Sequence, residues 1–305
     1  MIEKGIINGA TSNPSIFASA ITSSPAYAEQ LKSLDGKTPK EKYEALAIED
    51  IRTAAQALRE SYDEGNDGYI SIEVDPFLSN DTEGTIAEGK RLFNAIGEPN
   101  VMVKVPATEA GYRAMTSLLS MGISVNATLV FSPKQAQRCL KAMKKGLDNF
   151  SKDGGLRAEA VISVFVSRFD RLLDARLESE AMDISKTGIY NAGKIYNMIE
   201  TNNTPSVRTL FASTGVKGDV LEADYYMREL LAPHSVNTAP LSTIEAYIKT
   251  DASEPRFPID DDIINGYFTK LEDNGFNMDE VYDTLLHEGL TAFEEAFADM
   301  LDKLK

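Results

Sequence analysis

The sequence predicts an α/β protein, a parallel sheet closed into a barrel with helices outside it. Three observations lead there. Short strand-like runs alternate with helical stretches, which implies parallel strands joined by crossover helices. Several of those runs carry a polar or ionisable face opposite an apolar one: Thr11 and Asn13, Ser71 and Glu73, Lys104, Asn126 and Thr128, Ser163. Central strands of an open sheet are covered on both sides and should be almost wholly apolar, so these polar faces point to a functional closed interior. Finally, no Gly-rich dinucleotide fingerprint follows the first strand, which weighs against an open doubly wound fold.

Taken in order, residues 5–13 read as a short strand that brings Thr11 and Asn13 to its end before Pro14 breaks it. Helical sequence follows over 24–34 and 40–64. Tyr69–Val74 alternates cleanly, with Ile70, Ile72 and Val74 on one face and Ser71 and Glu73 on the other. A helix over 82–97 is stopped by Gly97. In Val101–Pro106 the period of two puts Val101, Val103 and Val105 one way and Met102, Lys104 and Pro106 the other. A helix from Thr108 to Met121 follows, with Gly122 at its C-terminal end. Residues 123–130 place Ser124, Asn126, Thr128 and Val130 inward. Ser132, Pro133 and Gln135 form a helix start with cap, N1 proline and capping-box glutamine. Cys139 falls on that helix's apolar face, where it packs. Strands are then predicted over 161–167, 209–214 and 235–240, with helices over 169–180 and 187–201. The remainder reads as helical, ending in an amphipathic segment from Met278 to Lys305 that carries Leu285, Phe293 and Phe297.

Composition narrows the function classes. The 305 residues read as one barrel domain with 241–305 as a C-terminal helical extension, and they are 43% hydrophobic and 26% charged, ordinary for a globular protein. A net charge of −16 argues against nucleic-acid or anionic-membrane partners. No apolar run is long enough to span a membrane, and the first residues lack a signal-peptide core. One cysteine excludes an intramolecular disulfide framework and suits a reducing cytoplasm, while two distant histidines argue against a His- or Cys-rich metal site.

Lys104 is the residue around which a site assembles. Alone, it could be an edge-strand lysine reaching solvent. Inside a barrel it must find a partner or lose its proton readily, and a deprotonated lysine attacks carbonyl carbon. Glu73, one strand away, could serve as general acid/base or simply as its counter-ion. Thr128 and Asn126 could position a water and hold a substrate hydroxyl, with Ser163 and Asn13 donating to sugar oxygens. Arg168 and Lys217, past the ends of adjacent strands and with Ser213 nearby, would form a cationic pocket for phosphate.

These residues lie in a series of motifs: TSNPSIF (Thr11–Phe17), SIEVDP (Ser71–Pro76), VMVKVPATEAGYRAM (Val101–Met115), SVNATLVFS (Ser124–Ser132), VISVFVSRFD (Val161–Asp170), FASTGVKG (Phe211–Gly218) and VNTAP (Val236–Pro240). In this order they resemble the motifs of the transaldolase family, and most of all its bacterial branch with a long C-terminal helical extension. The resemblance implies a TIM barrel of the class I aldolase type and a cofactor-free, metal-free Schiff-base mechanism. Lys104 would form an imine with a ketose phosphate such as fructose 6-phosphate or sedoheptulose 7-phosphate. The dihydroxyacetone unit would pass to glyceraldehyde 3-phosphate or erythrose 4-phosphate, in the pentose phosphate pathway. By position, Glu73 and Thr128 match the pair that handles protons through a water. Asn13, Asn126 and Ser163 match contacts to the dihydroxyacetone moiety, Thr11 and Phe165 the pocket lining, and Arg168, Ser213 and Lys217 the phosphate site.

One departure stands out. The family pattern has a strand before TSNP bearing an aspartate that accepts a proton on carbon–carbon cleavage. Here ten residues precede Thr11, none is aspartate, Glu3 is the nearby carboxylate, and only seven strands can be counted. The expectation is a chain that begins late, with the first strand missing and imine formation surviving better than turnover. Two alternatives accompany this reading: an aldolase releasing free dihydroxyacetone, and a non-catalytic sugar-phosphate-binding protein. Oligomeric state is open.

Overall fold

The computed structural model describes residues 1–152, 158–218 and 220–305. In chain order its elements are β1 (Ala10–Thr11), α1 (Pro14–Ser23), α2 (Ala26–Ser33), α3 (Pro39–Ala57), α4 (Arg59–Asp63), β2 (Ile70–Glu73), α5 (Thr82–Ile96), β3 (Val101–Pro106), α6 (Glu109–Ser120), β4 (Ser124–Val130), α7 (Pro133–Lys152), β5 (Ala160–Phe165), α8 (Ser167–Ser179), α9 (Thr187–Thr201), β6 (Val207–Ala212), α10 (Tyr225–Glu229), β7 (Ser235–Asn237), α11 (Leu241–Tyr247), α12 (Asp261–Asp273) and α13 (Met278–Lys303). They fall into two compact units. The first holds Met1–Asn126, Lys145–Glu159 and Gly289–Lys305; the second holds Ala127–Lys144 and Ala160–Glu288.

In the first unit the strand order is β1-β2-β3-β4, with β1, β2 and β3 parallel. Asn100 sets the start of β3: its buried amide donates to the Ala55 carbonyl (2.8 Å) and the Gly68 carbonyl (2.7 Å), tying α3 to the entry of β2. The register then runs Ile70↔Val101 through to Glu73↔Lys104, so the glutamate and the lysine stand abreast. All six residues of β3 are buried. Above that strand α6 starts with Thr108, whose hydroxyl accepts from the Gly111 amide at 3.0 Å. A Cβ at Gly111 would lie 2.0 Å from the Pro106 carbonyl oxygen, so only glycine lets the helix seat this closely on the strand end. The core joins Leu46, Ile51, Ile72, Leu92 and Val101 to Phe297 and Met300 of α13 and to Leu304 just past it. Tyr43 bridges the two ends of the sequence, edge-on to Phe17 (5.7 Å) and to Phe297 (5.3 Å).

In the second unit the order is β4-β5-β6-β7, with β5, β6 and β7 parallel. Ser132 and Gln135 form the predicted capping box at α7: the Gln135 amide donates to Ser132 Oγ and the Ser132 amide to Gln135 Oε1, both at 3.0 Å. Two aromatic groups fill the unit. Phe131 packs on Phe165 and Phe169, and Tyr196, Phe211 and Phe257 pack against one another. Cys139 is buried with a free thiol. No helix among the described residues is long and apolar enough to cross a membrane.

Several elements differ from the sequence reading. The strand over 5–13 shrinks to Ala10–Thr11, because Gly5 turns into the left-handed region (φ 63°) after a 3-10 turn and Asn13 is committed to capping a helix. Pro14 therefore opens α1 as its N1 residue, ten residues ahead of the expected helix, and Ser24-Pro25 breaks it from α2. The strand over 161–167 ends at Phe165. Val166 takes a helical conformation and Ser167 begins α8, which puts Arg168 on the first turn of a helix. The last two strands occupy 207–212 and 235–237, the final one cut short because Pro240 caps α11. Residues 248–260, expected to be helical, are irregular.

Candidate active site

In the first unit the parallel register and the two-residue period send Glu73 and Lys104 to the same face. Lys104 Nζ lies 3.4 Å from Glu73 Oε2, with the two side chains only 7% and 2% exposed. The ammonium also donates to the Ser12 carbonyl at 3.4 Å, and the face of the Phe293 ring lies 5.7 Å from it. Neither Glu73 oxygen makes a hydrogen bond among the described residues, so the pair sits at ion-pair distance without a fixed bond. Burial pushes the Glu73 carboxyl up to about 7, against the opposing pull of the Lys104 charge. A carboxyl poised there can both give and take a proton near neutral pH.

The rest of this cluster is polar and ordered. Asn126 Nδ2 donates to Ser71 Oγ at 3.0 Å, and Ser12 Oγ donates to the Ser71 carbonyl at 2.8 Å. Thr11 ends β1, and Asn13 accepts from the Ile16 amide at 2.9 Å, a cap that uses its carbonyl oxygen and leaves its amide nitrogen out of that bond.

The second unit holds the other expected residues. Thr128 lies on β4 with a buried hydroxyl that has no hydrogen-bond partner among the described residues. Ser163 and Phe165 lie on one face of β5, both buried. The Arg168 guanidinium lies 5.6 Å from the Phe165 ring centre, and Ser167 Oγ lies 3.0 Å from Ser213 Oγ. Burial, then the neighbouring Arg171, draws the Arg168 guanidinium below its ordinary range, with Glu288 acting the other way. Ser213 adopts a left-handed φ of 56° just past the end of β6. Lys217 lies further along that loop and is exposed.

Three residues were missed. Ser12 contributes a carbonyl, which no side-chain pattern can signal. Phe293 reads in sequence as one more apolar position on an amphipathic helix. Asp170, beside Arg168 in SRFD, accepts from the Gly188 amide at 3.0 Å and from the Tyr226 hydroxyl at 2.8 Å, fastening α8 to α9 and α10. Burial pushes its carboxyl up to about 6, although both donors oppose that. A Cβ at Gly188 would stand 2.3 Å from the Val166 carbonyl oxygen, so the glycine is what admits this close approach.

The model of the Transaldolase/Fructose-6-phosphate aldolase family matches residues 1–304. The chain belongs to this family. It is 46% identical to the transaldolase of Campylobacter jejuni subsp. doylei, over 98% of this chain and 92% of that one. It is 41% identical to the transaldolase of Helicobacter pylori strain 26695, over 99% of this chain and 92% of that one. Its activity is that of a transaldolase, and the buried lysine–glutamate pair of this transaldolase lies within the matched region.

Proposed function

We propose that this transaldolase moves a dihydroxyacetone unit from a ketose phosphate to an aldose phosphate through an imine on Lys104, in the cytoplasm and within the pentose phosphate pathway. The observation that carries the proposal is the buried pair itself: a lysine held 3.4 Å from a glutamate whose carboxyl is raised to about 7. Glu73 takes a proton from the Lys104 ammonium, and the freed amine adds its lone pair to the ketone carbon. A proton passes from the nitrogen to the oxygen to leave a neutral carbinolamine. Glu73 protonates that hydroxyl, water leaves, and the nitrogen carries the positive charge of an iminium. When the C3–C4 bond breaks, its electron pair flows toward the nitrogen and leaves a neutral enamine. The C4 hydroxyl gives up its proton to a base as the aldose phosphate departs. The enamine carbon then attacks the acceptor aldehyde, whose oxygen takes a proton, and water returns to release the new ketose.

The other residues take supporting roles. Thr128, with its unpartnered hydroxyl, holds the water that relays protons. Asn13, Asn126 and Ser163 bind the dihydroxyacetone hydroxyls, and Thr11 and Phe165 line the pocket. Arg168 and Ser213, with Lys217 from the loop, take the phosphate of fructose 6-phosphate, sedoheptulose 7-phosphate, glyceraldehyde 3-phosphate or erythrose 4-phosphate. The seven parallel strands are read as members of a (β/α)8 barrel, the architecture that gathers such residues at strand ends.

The test is borohydride reduction in the presence of fructose 6-phosphate. A covalent mass gain that disappears in Lys104→Ala supports the proposal; binding without any gain refutes it. Product analysis with and without an acceptor aldehyde separates transfer from release of free dihydroxyacetone.

A further inference from the structure

Lys104 Nζ has three neighbours of different kinds: the Glu73 carboxylate, the Ser12 carbonyl and the face of Phe293. The first comes from β2, the neighbour of β3, and the second from just past the end of β1, one strand further on. The third comes from the C-terminal helix, nearly two hundred residues later. Phe293 is buried, and its helix is anchored further along. Phe297, one turn further on the same face of α13, sits edge-on to Tyr43 and 6.1 Å from Phe77, while Met300 and Leu304 join the same core. The ring is thus fixed by its helix, and the helix by its own core contacts.

We propose that Phe293 is a positioning residue for the reactive lysine: its ring face holds the Lys104 nitrogen in place and stabilises the positive charge that nitrogen carries as an iminium. This rests on the reading of Lys104 as the imine-forming residue. The electron-rich face of an aromatic ring attracts a cation within about 6 Å, and does so more strongly where water is excluded. Both conditions hold here. The charge stays on the same atom when the ammonium is replaced by the iminium, so a ring that faces one faces the other. Glu73 complements this role. It must give up and take back protons during the cycle, so its own charge changes, whereas the ring offers a constant negative face. The C-terminal helix thereby contributes to the chemistry as well as to the packing.

The experiment compares Phe293→Leu, which keeps apolar bulk without a π face, with replacement of Phe293 by pentafluorophenylalanine, which keeps the ring shape but strips the face of its negative charge. Each is assayed by rapid borohydride trapping with fructose 6-phosphate and by steady-state kinetics, with thermal unfolding as the check on packing. The expected result is a fall of about 2- to 30-fold in trapping rate and kcat in both variants, with KM for the phosphorylated donor little changed. The fluorinated protein should melt near the wild type. If Phe293→Leu folds poorly, the fluorinated variant decides alone. Wild-type trapping and kcat in the fluorinated protein overturn the inference and leave the Lys104 reading intact. Mass gain persisting in Lys104→Ala overturns both.

Discussion

Replacing Glu73 by glutamine should flatten the dependence of stability on pH. The native carboxyl holds its proton up to about 7, whereas an exposed glutamate releases it near 4.5. Between those values the folded state binds more protons than the unfolded one, so this group makes the protein less stable as pH rises through that window. Above about 7 both states are ionised and the effect levels off. At about 1.4 kcal/mol per pH unit, the window comes to about 3 kcal/mol. The cause is removal of a carboxylate from water, only partly offset by Lys104. Urea unfolding of wild type and Glu73→Gln at about pH 5 and about pH 8 measures the difference of differences. The cost of placing an amide beside Lys104 is present at both pH values and cancels. The variant should lose about 3 kcal/mol less than wild type across that interval. Equal losses in the two proteins, or a steeper loss in the variant, would refute the reasoning.

Three further outcomes are expected. Gly111→Ala drives a methyl group into the Pro106 carbonyl and should destabilise by about 1–3 kcal/mol in urea unfolding, while slowing borohydride trapping because β3 carries Lys104. Asp170→Ala strands the Gly188 amide and the Tyr226 hydroxyl and should cost about 1–3 kcal/mol for each, with Asp170→Asn recovering part of it because an amide oxygen still accepts. Arg168→Gln should raise KM for fructose 6-phosphate about 10- to 100-fold yet leave trapping of unphosphorylated dihydroxyacetone on Lys104 unchanged.

The juxtaposition of Lys104 and Glu73 was legible because it depends on two things a sequence carries well, the alternation of side chains along a strand and the succession of parallel strands. Register then brought the two abreast. Asn126 and Ser71 were visible on the same grounds, and they meet. Asn13 was read as a strand residue because alternation cannot see that a following proline will start a helix and claim the side chain as its cap. Arg168 was read as lying just past a strand end for a similar reason: the turn into α8 occurs at Val166, a residue with no turn signature and no side-chain cap beside it. The 248–260 stretch contains Pro255 and Pro258, and the helical reading passed over them. Phe293 shows the deepest limit. Helical spacing reveals that a residue is buried, but which distant group it meets is decided by tertiary packing alone.

The first unit is built from both ends of the sequence, and this has a consequence for the order in which the molecule is made. On the ribosome, Tyr43, Leu46, Ile51 and Val101 emerge well before Phe297, Met300 and Leu304, which complete their core. The nascent chain must carry that open apolar face until the later residues are made, a slow-closing topology and a natural target for chaperones. Lys104 waits as well. Its strand neighbours are already present, but the aromatic ring reaches it only when α13 docks, so the lysine lacks its full surroundings until that helix is in place.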